Sequence, residues 1–89
     1  MWVDWDPRKA AGNLGKHGID FVDAAPVLFD ELAVTTEDEH AGEARSVTIG
    51  TDAVGRVLVV VWVWRAEQIR MISARRATPR ERRRYQEKR

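Results

Sequence analysis

The 89 residues allow one domain with one modest core, and 44% hydrophobic against 33% charged residues suits a globular fold with a well-solvated surface. The absence of cysteine excludes a disulfide framework and a thiolate metal site. The net charge of +1 hides a polarised chain: residues 1–64 carry 5 Lys+Arg against 11 Asp+Glu, a net of −6, whereas residues 65–89 carry 10 against 3, a net of +7. Such a division points to a polyanion partner or a self-complementary surface, with a merely solvated basic helix as the plainer alternative.

The opening stretch lacks a basic region followed by an apolar run, so the sequence reads as a cytosolic protein without a secretory signal, one domain over residues 1–89. Trp2 to Trp5 reads as a short strand, with Trp2 and Asp4 on one side and Val3 and Trp5 on the other. Asp6-Pro7 then supplies a cap and a proline at the first helical position, and the helix stops near His17-Gly18. Asp20 caps a second helix carrying Phe21, Ala24, Ala25, Leu28 and Phe29 at helical spacing, in which Pro26 predicts a kink or a frayed start. Leu32 to Glu37 reads as the second strand, and the polar, glycine-containing stretch from Asp38 to Ala44 as a loop.

Arg45 to Thr51 alternates like a half-buried strand. After a turn at Asp52-Ala53-Val54-Gly55 comes Val57 to Trp64, eight consecutive apolar residues. That run is too short for a membrane span and reads as a central strand buried on both faces. Gln68 to Arg76 follows, with Ile69 and Met71 on one face and Arg70 and Ile72 on the other. The turn at 65–67 lacks glycine or asparagine, so its type is not readable. Thr78-Pro79-Arg80-Glu81 is a capping box starting a last helix that runs to about Lys88. Beyond Ala77 and Tyr85 that helix has little apolar surface, which predicts loose docking and a role in binding rather than in the core. The fold class is α+β: strand, two helices, a four-strand antiparallel meander and a short C-terminal helix, with helices on one face and the other face open.

His17 and His40 stand alone, without a second histidine or a cysteine at ligand spacing, so no metal and no cofactor is expected. Ser46 and Ser73 have no nucleophile-elbow context, and neither a P-loop nor a dinucleotide fingerprint occurs. What remains is Lys16-His17 at a helix end, with Arg45, Arg70, Arg75 and Arg76 on or beside the sheet. RNA transesterification needs little more: a base for the 2′-hydroxyl proton, cations for the phosphorane, an acid for the departing 5′-oxygen. Histidine titrates near neutrality, and arginine offers a planar, permanently charged fork. The plainer alternative makes His17 a helix C-terminal residue favoured by the dipole, and the arginines solvated.

Taken together, several pieces resemble the BrnT family of bacterial toxin–antitoxin ribonucleases. They are Trp5-Asp6, Asn13-Leu14-Gly15-Lys16-His17-Gly18-Ile19, Phe21, Ala24, Phe29-Asp30, Arg45 and Ile49-Gly50. Ile69-Arg70-Met71-Ile72-Ser73-Ala74-Arg75, Ala77-Thr78, Glu81-Arg82 and Tyr85 complete the series, in order along nearly the whole chain. The resemblance implies a RelE-like fold and a metal-independent endoribonuclease that arrests growth. It implies a BrnA-type antitoxin with a ribbon-helix-helix part, a heterotetrameric complex, and contact with promoter DNA only through that antitoxin. It further implies that Lys16, His17, Arg45, Arg70 and Arg75 form the catalytic set, with Lys9, Arg76, Arg80 and Arg83 binding RNA. Glu81 and Tyr85 match the family's ending as structural residues. The competing reading is a non-catalytic module that binds nucleic acid or the antitoxin without cutting.

Overall fold

Leu58, Val59, Val60, Trp62 and Val63 are all buried. A strand with consecutive buried residues needs cover on both sides. A computed structural model, which describes residues 3–87, supplies that cover. The elements are β1 (Val3–Asp4), α1 (Pro7–His17), α2 (Phe21–Ala24), a 3-10 helix (Ala25–Phe29), β2 (Val34–His40), β3 (Glu43–Thr51), β4 (Val57–Arg65), β5 (Gln68–Arg76) and α3 (Pro79–Glu87). Five strands form one sheet in the order β1-β5-β4-β3-β2. The meander from β2 to β5 is antiparallel as expected, but β1 departs from that pattern and joins β5 in parallel, Val3 opposite Ile69 and Asp4 opposite Arg70. Trp2 and Lys88 lie outside the described residues.

The local signals act where they stand in the chain. Asp6 caps α1 by accepting the Arg8 backbone N–H at 2.8 Å. Gly18, at φ 71°, ends the helix and donates its N–H to Leu14. Asp20 caps α2 through the Val22 N–H. Pro26 has the expected effect in a sharper form: the α-helix lasts four residues and tightens into the 3-10 turn, where the missing proline donor is tolerated.

The two faces of the sheet carry two cores. On one, Ile19, Phe21, Ala24 and Val27 pack against Leu58, Val60, Ile69 and Met71. On the other, Tyr85 and Ala77 pack against Ile49 and Val59. The expectation of an open second face is therefore overturned, because α3 lies on it. The last helix is no loose appendage either, since Tyr85 is only 2% exposed. Its hydroxyl donates to Asp30 Oδ2 at 2.6 Å, a contact between residues 55 apart in sequence.

The expected loop at 38–44 is also corrected. Residues 34–40 and 43–51 form one long hairpin closed at Ala41-Gly42, whose φ values of 53° and 78° make a tight turn. The second strand accordingly starts later and ends later than Leu32 to Glu37. The β4–β5 turn uses the same backbone without glycine: Ala66 and Glu67 sit at φ 52° and 63°. Each side chain costs about 1 kcal/mol there relative to glycine.

One irregularity matters for everything that follows. Val61 pairs with Ser73 and Trp62 with Met71, so Ile72 is an extra residue in β5. Beyond this bulge the alternation changes phase. Ala74 returns to the face of Met71, and Arg75, opposite Val59, returns to the face of Arg70, opposite Val63.

Candidate functional site

The pleat assigns the arginines. Register puts Arg70 opposite Val63, Arg75 opposite Val59 and Arg45 opposite Asp38, all on the face that carries α3. Arg70 is half-buried and its Nε lies 3.5 Å from Asp4 Oδ1, so the parallel β1 strand brings a carboxylate to it. Arg45 is half-buried too; its Nε is 3.7 Å from Glu43 Oε1 and has no hydrogen-bond partner. Arg75 is clamped, its two terminal nitrogens donating to Glu81 Oε1 at 2.8 Å and Oε2 at 2.9 Å.

Glu81 has two tasks, since it also accepts the Thr78 backbone N–H at 2.9 Å while donating its own N–H to the Thr78 hydroxyl. The capping box thus starts α3 and grips β5 at once. The Arg75 hydrogen bond, aided by the bond from Thr78, holds the Glu81 carboxyl at about 2 against the opposing effect of burial. The same pairing raises the Arg75 guanidinium above its usual value. At the other end of the helix, burial works to raise the Asp30 carboxyl. Donors from Tyr85, the Thr51 backbone, the Leu32 backbone and the Thr51 hydroxyl outweigh it and bring Asp30 to about 2. Gly50 is needed beside this clasp, because a Cβ there would stand 3.1 Å from both Asp30 Oδ2 and the Val27 carbonyl.

Arg80 and Arg83 are exposed on α3, where with Arg84 and Glu87 they line one shallow depression. Arg76 is exposed at the sheet's end and lines another with Arg56 and Arg82. Lys9 is exposed on α1. Lys16 and His17 stand apart from the arginines. They occupy the last turn of α1, which lies against β5 on the opposite side of the sheet, with Lys16 exposed and His17 half-buried. Among the described residues, no hydrogen bond or ion pair joins either of them to Arg45, Arg70 or Arg75. What fixes their turn is Asn13, a buried residue to which sequence reasoning gave no role of its own. Its amide donates to the Ile19 carbonyl at 2.9 Å and the Ala74 carbonyl at 2.8 Å, and accepts the Ala74 N–H at 3.0 Å. The helix end is thereby tied to β5 at Ala74, in the same strand as Arg70. Asp4 was likewise missed as the partner of Arg70. The signal available was only a carboxylate in a strand with tryptophan and valine neighbours.

Among the described residues, no group of three or more histidine, aspartate or glutamate side chains is placed to hold a metal ion, and no helix is long and apolar enough to cross a membrane. Residues 5–81 match the family described as "Ribonuclease toxin, BrnT, of type II toxin-antitoxin system". The chain belongs to the BrnT family. A crystal structure of the Brucella abortus ribonuclease toxin, BrnT, is similar at a TM-score of 0.67 and 28% identity, covering 88% of this chain and 97% of that one. No curated protein matches. The family is one of ribonuclease toxins of the type II class, the chain shares a mixed α+β fold with the Brucella toxin, and that class implies an antitoxin partner.

Proposed function

We propose that this chain is a metal-independent endoribonuclease of RelE-like fold, which arrests growth in the cytoplasm by cutting RNA on the sheet face that carries α3. The observation behind this reading is the gathering of Arg45, Arg70 and Arg75 on that face, with the arginines of α3 beside them. Arg70 is the cation that meets the phosphorane. Its Nε donates to Asp4 Oδ1 at 3.5 Å, and the end of the fork serves two phosphate oxygens. Arg45 adds charge from the neighbouring half of the sheet, and Arg75, held by Glu81, sets the limit of the site. Lys9, Arg76, Arg80 and Arg83 guide the RNA backbone by charge. His17 moves the proton from the edge of β5, with Lys16 beside it for phosphate. The 2′-oxygen loses its proton and attacks phosphorus; the 5′-oxygen leaves and is protonated, giving a 2′,3′-cyclic phosphate and a free 5′-hydroxyl. Neutralisation comes from a BrnA-type antitoxin with a ribbon-helix-helix part, in a heterotetramer that touches promoter DNA through the antitoxin.

A second reading is favoured by one observation, the separation of Lys16 and His17 from the arginine face. In that reading the chain binds RNA or its antitoxin without cutting. Incubating the purified protein with RNA in EDTA separates the two. The enzyme produces cyclic-phosphate ends without added metal, and Arg70→Ala lowers the rate by roughly 10²–10³-fold with the fold retained. Intact RNA bound by folded wild-type protein supports the second reading, and activity that needs added metal overturns the metal-independent step.

A further inference from the structure

On the first face exposure rises towards one end of the sheet, where Glu37, Glu39, Ala44 and Trp64 are all exposed while Trp62 is still buried. There, Glu37 pairs with Ser46 and Ser46 with Trp62, so a carboxylate, a small residue and an indole lie in one row across β2, β3 and β4. Two residues further along, Glu39 pairs with Ala44, and Trp64 follows Trp62 on the same face. The pattern of acid, small residue and indole therefore occurs twice, the rows roughly 7 Å apart and the acid strand about 10 Å from the indole strand. Glu37, Glu39 and Ala44 help line one shallow depression. Trp64 is 57% exposed, yet it is not loosely held. It meets Trp62 edge-to-face at 5.2 Å, and the Trp62 N–H donates to the Thr48 hydroxyl, itself bonded to Thr35. Among the described residues, neither Glu37 nor Glu39 has an ion-pair partner.

We propose that this uncovered end of the sheet docks a basic segment of the antitoxin, whose arginine or lysine side chains lie on Trp64 and reach Glu37 and Glu39. An exposed indole on a rigid support is a ready anchor for a cation, and a guanidinium can stack on its face while donating to a carboxylate. The doubled pattern calls for two cations about two strand residues or one helical turn apart, which a polypeptide supplies and a small cation does not. Anionic rims repel RNA, so this surface and the arginine face, on opposite sides of the sheet, take opposite partners. The proposal rests on the type II toxin–antitoxin reading.

The test uses the full chain with a fluorescein-labelled peptide of alternating arginine and valine, an alternating glutamate and valine peptide as control, and a co-expressed BrnA-type antitoxin. The wild type is expected to bind the basic peptide in a salt-dependent way and not the acidic one. Trp64→Ser, and Glu37→Gln with Glu39→Gln, are each expected to weaken peptide and antitoxin by about tenfold or more while leaving RNA cleavage unchanged. Arg70→Ala is expected to do the reverse. Peptide or antitoxin affinity unchanged in both surface variants overturns the proposal. So does self-association of the wild type that Trp64→Ser abolishes, since the occupant is then α3 of a second copy. Failure of every variant and the wild type to cut RNA sinks the ribonuclease reading while leaving the docking result to stand or fall by itself.

Discussion

Replacing Tyr85 by phenylalanine removes a single oxygen and tests whether α3 is clasped to the sheet or only rests on it. The hydroxyl donates to Asp30 Oδ2 at 2.6 Å and lies 3.4 Å from the Thr51 hydroxyl. A hydrogen bond to a charged acceptor contributes roughly 1.5–3 kcal/mol. Asp30 is half-buried and keeps donors from Thr51 and Leu32, so its carboxylate is not stranded. That places the expected loss at the low end, about 1.5 kcal/mol. For a domain of this size the melting temperature should then fall by roughly 6–12 °C. Urea unfolding followed by tryptophan fluorescence should show a lower midpoint at an unchanged slope, as for a change in stability without a change in the surface exposed. Tyr85→Ala adds the loss of a ring that is 2% exposed, and large-to-small changes of this kind cost about 3–5 kcal/mol. Truncation before Pro79 should cost at least as much as Tyr85→Ala. If Tyr85→Phe melts within about 2 °C of wild type, the hydroxyl is not holding the helix and the reasoning fails.

Other outcomes follow from the same contacts. Asp30 and Glu81 titrate at about 2 in the fold against ordinary values of 3.8 and 4.5, so the unfolded chain binds more protons in that window. Stability should be full above about pH 5 and fall as pH drops through 4 towards 2; a melting temperature flat across that range would contradict both clasps. Asn13→Ala removes three buried hydrogen bonds and leaves the Ala74 N–H and two carbonyls unsatisfied, a cost of about 3 kcal/mol by chemical denaturation. A loss below about 1 kcal/mol would mean that water replaces the amide. Ala66→Asn with Glu67→Gly relieves two positive φ values and should stabilise by about 1 kcal/mol, and destabilisation would refute the assigned turn.

What could be read from the sequence was whatever a short window determines. Asp6-Pro7 and Gly18 bracket α1 because capping depends on residues within one helical turn. The apolar run of β4 announces its central position by composition alone. The hairpin at Ala41-Gly42 stayed hidden because Glu37, Asp38, Glu39 and Glu43 are poor strand formers, and pairing with β3 overrides propensity at the sheet's edge. The anchoring of α3 was hidden for a different reason. Its attachment is one tyrosine and one ion pair, and neither Asp30 nor Arg75 lies in the helix they hold. The arginines of the site were nameable from residue type and family resemblance, but their grouping was not. Unbroken alternation puts Arg75 with Ile69 and Met71, and only the extra residue in β5 turns it towards Arg70.

That extra residue also makes β5 tolerant of one change in its own length. Arg70 and Arg75 are an odd number of positions apart, and no uninterrupted strand can show both to one side. Ile72 can therefore change identity with modest effect, and losing it would leave Arg70 and Arg75 an even number of positions apart, so that plain alternation keeps both on one face and Met71 and Ala74 on the other. Among descendants of this chain, loss of one residue between Arg70 and Arg75 should therefore leave the arginine face intact, with the strand paired one-to-one against β4.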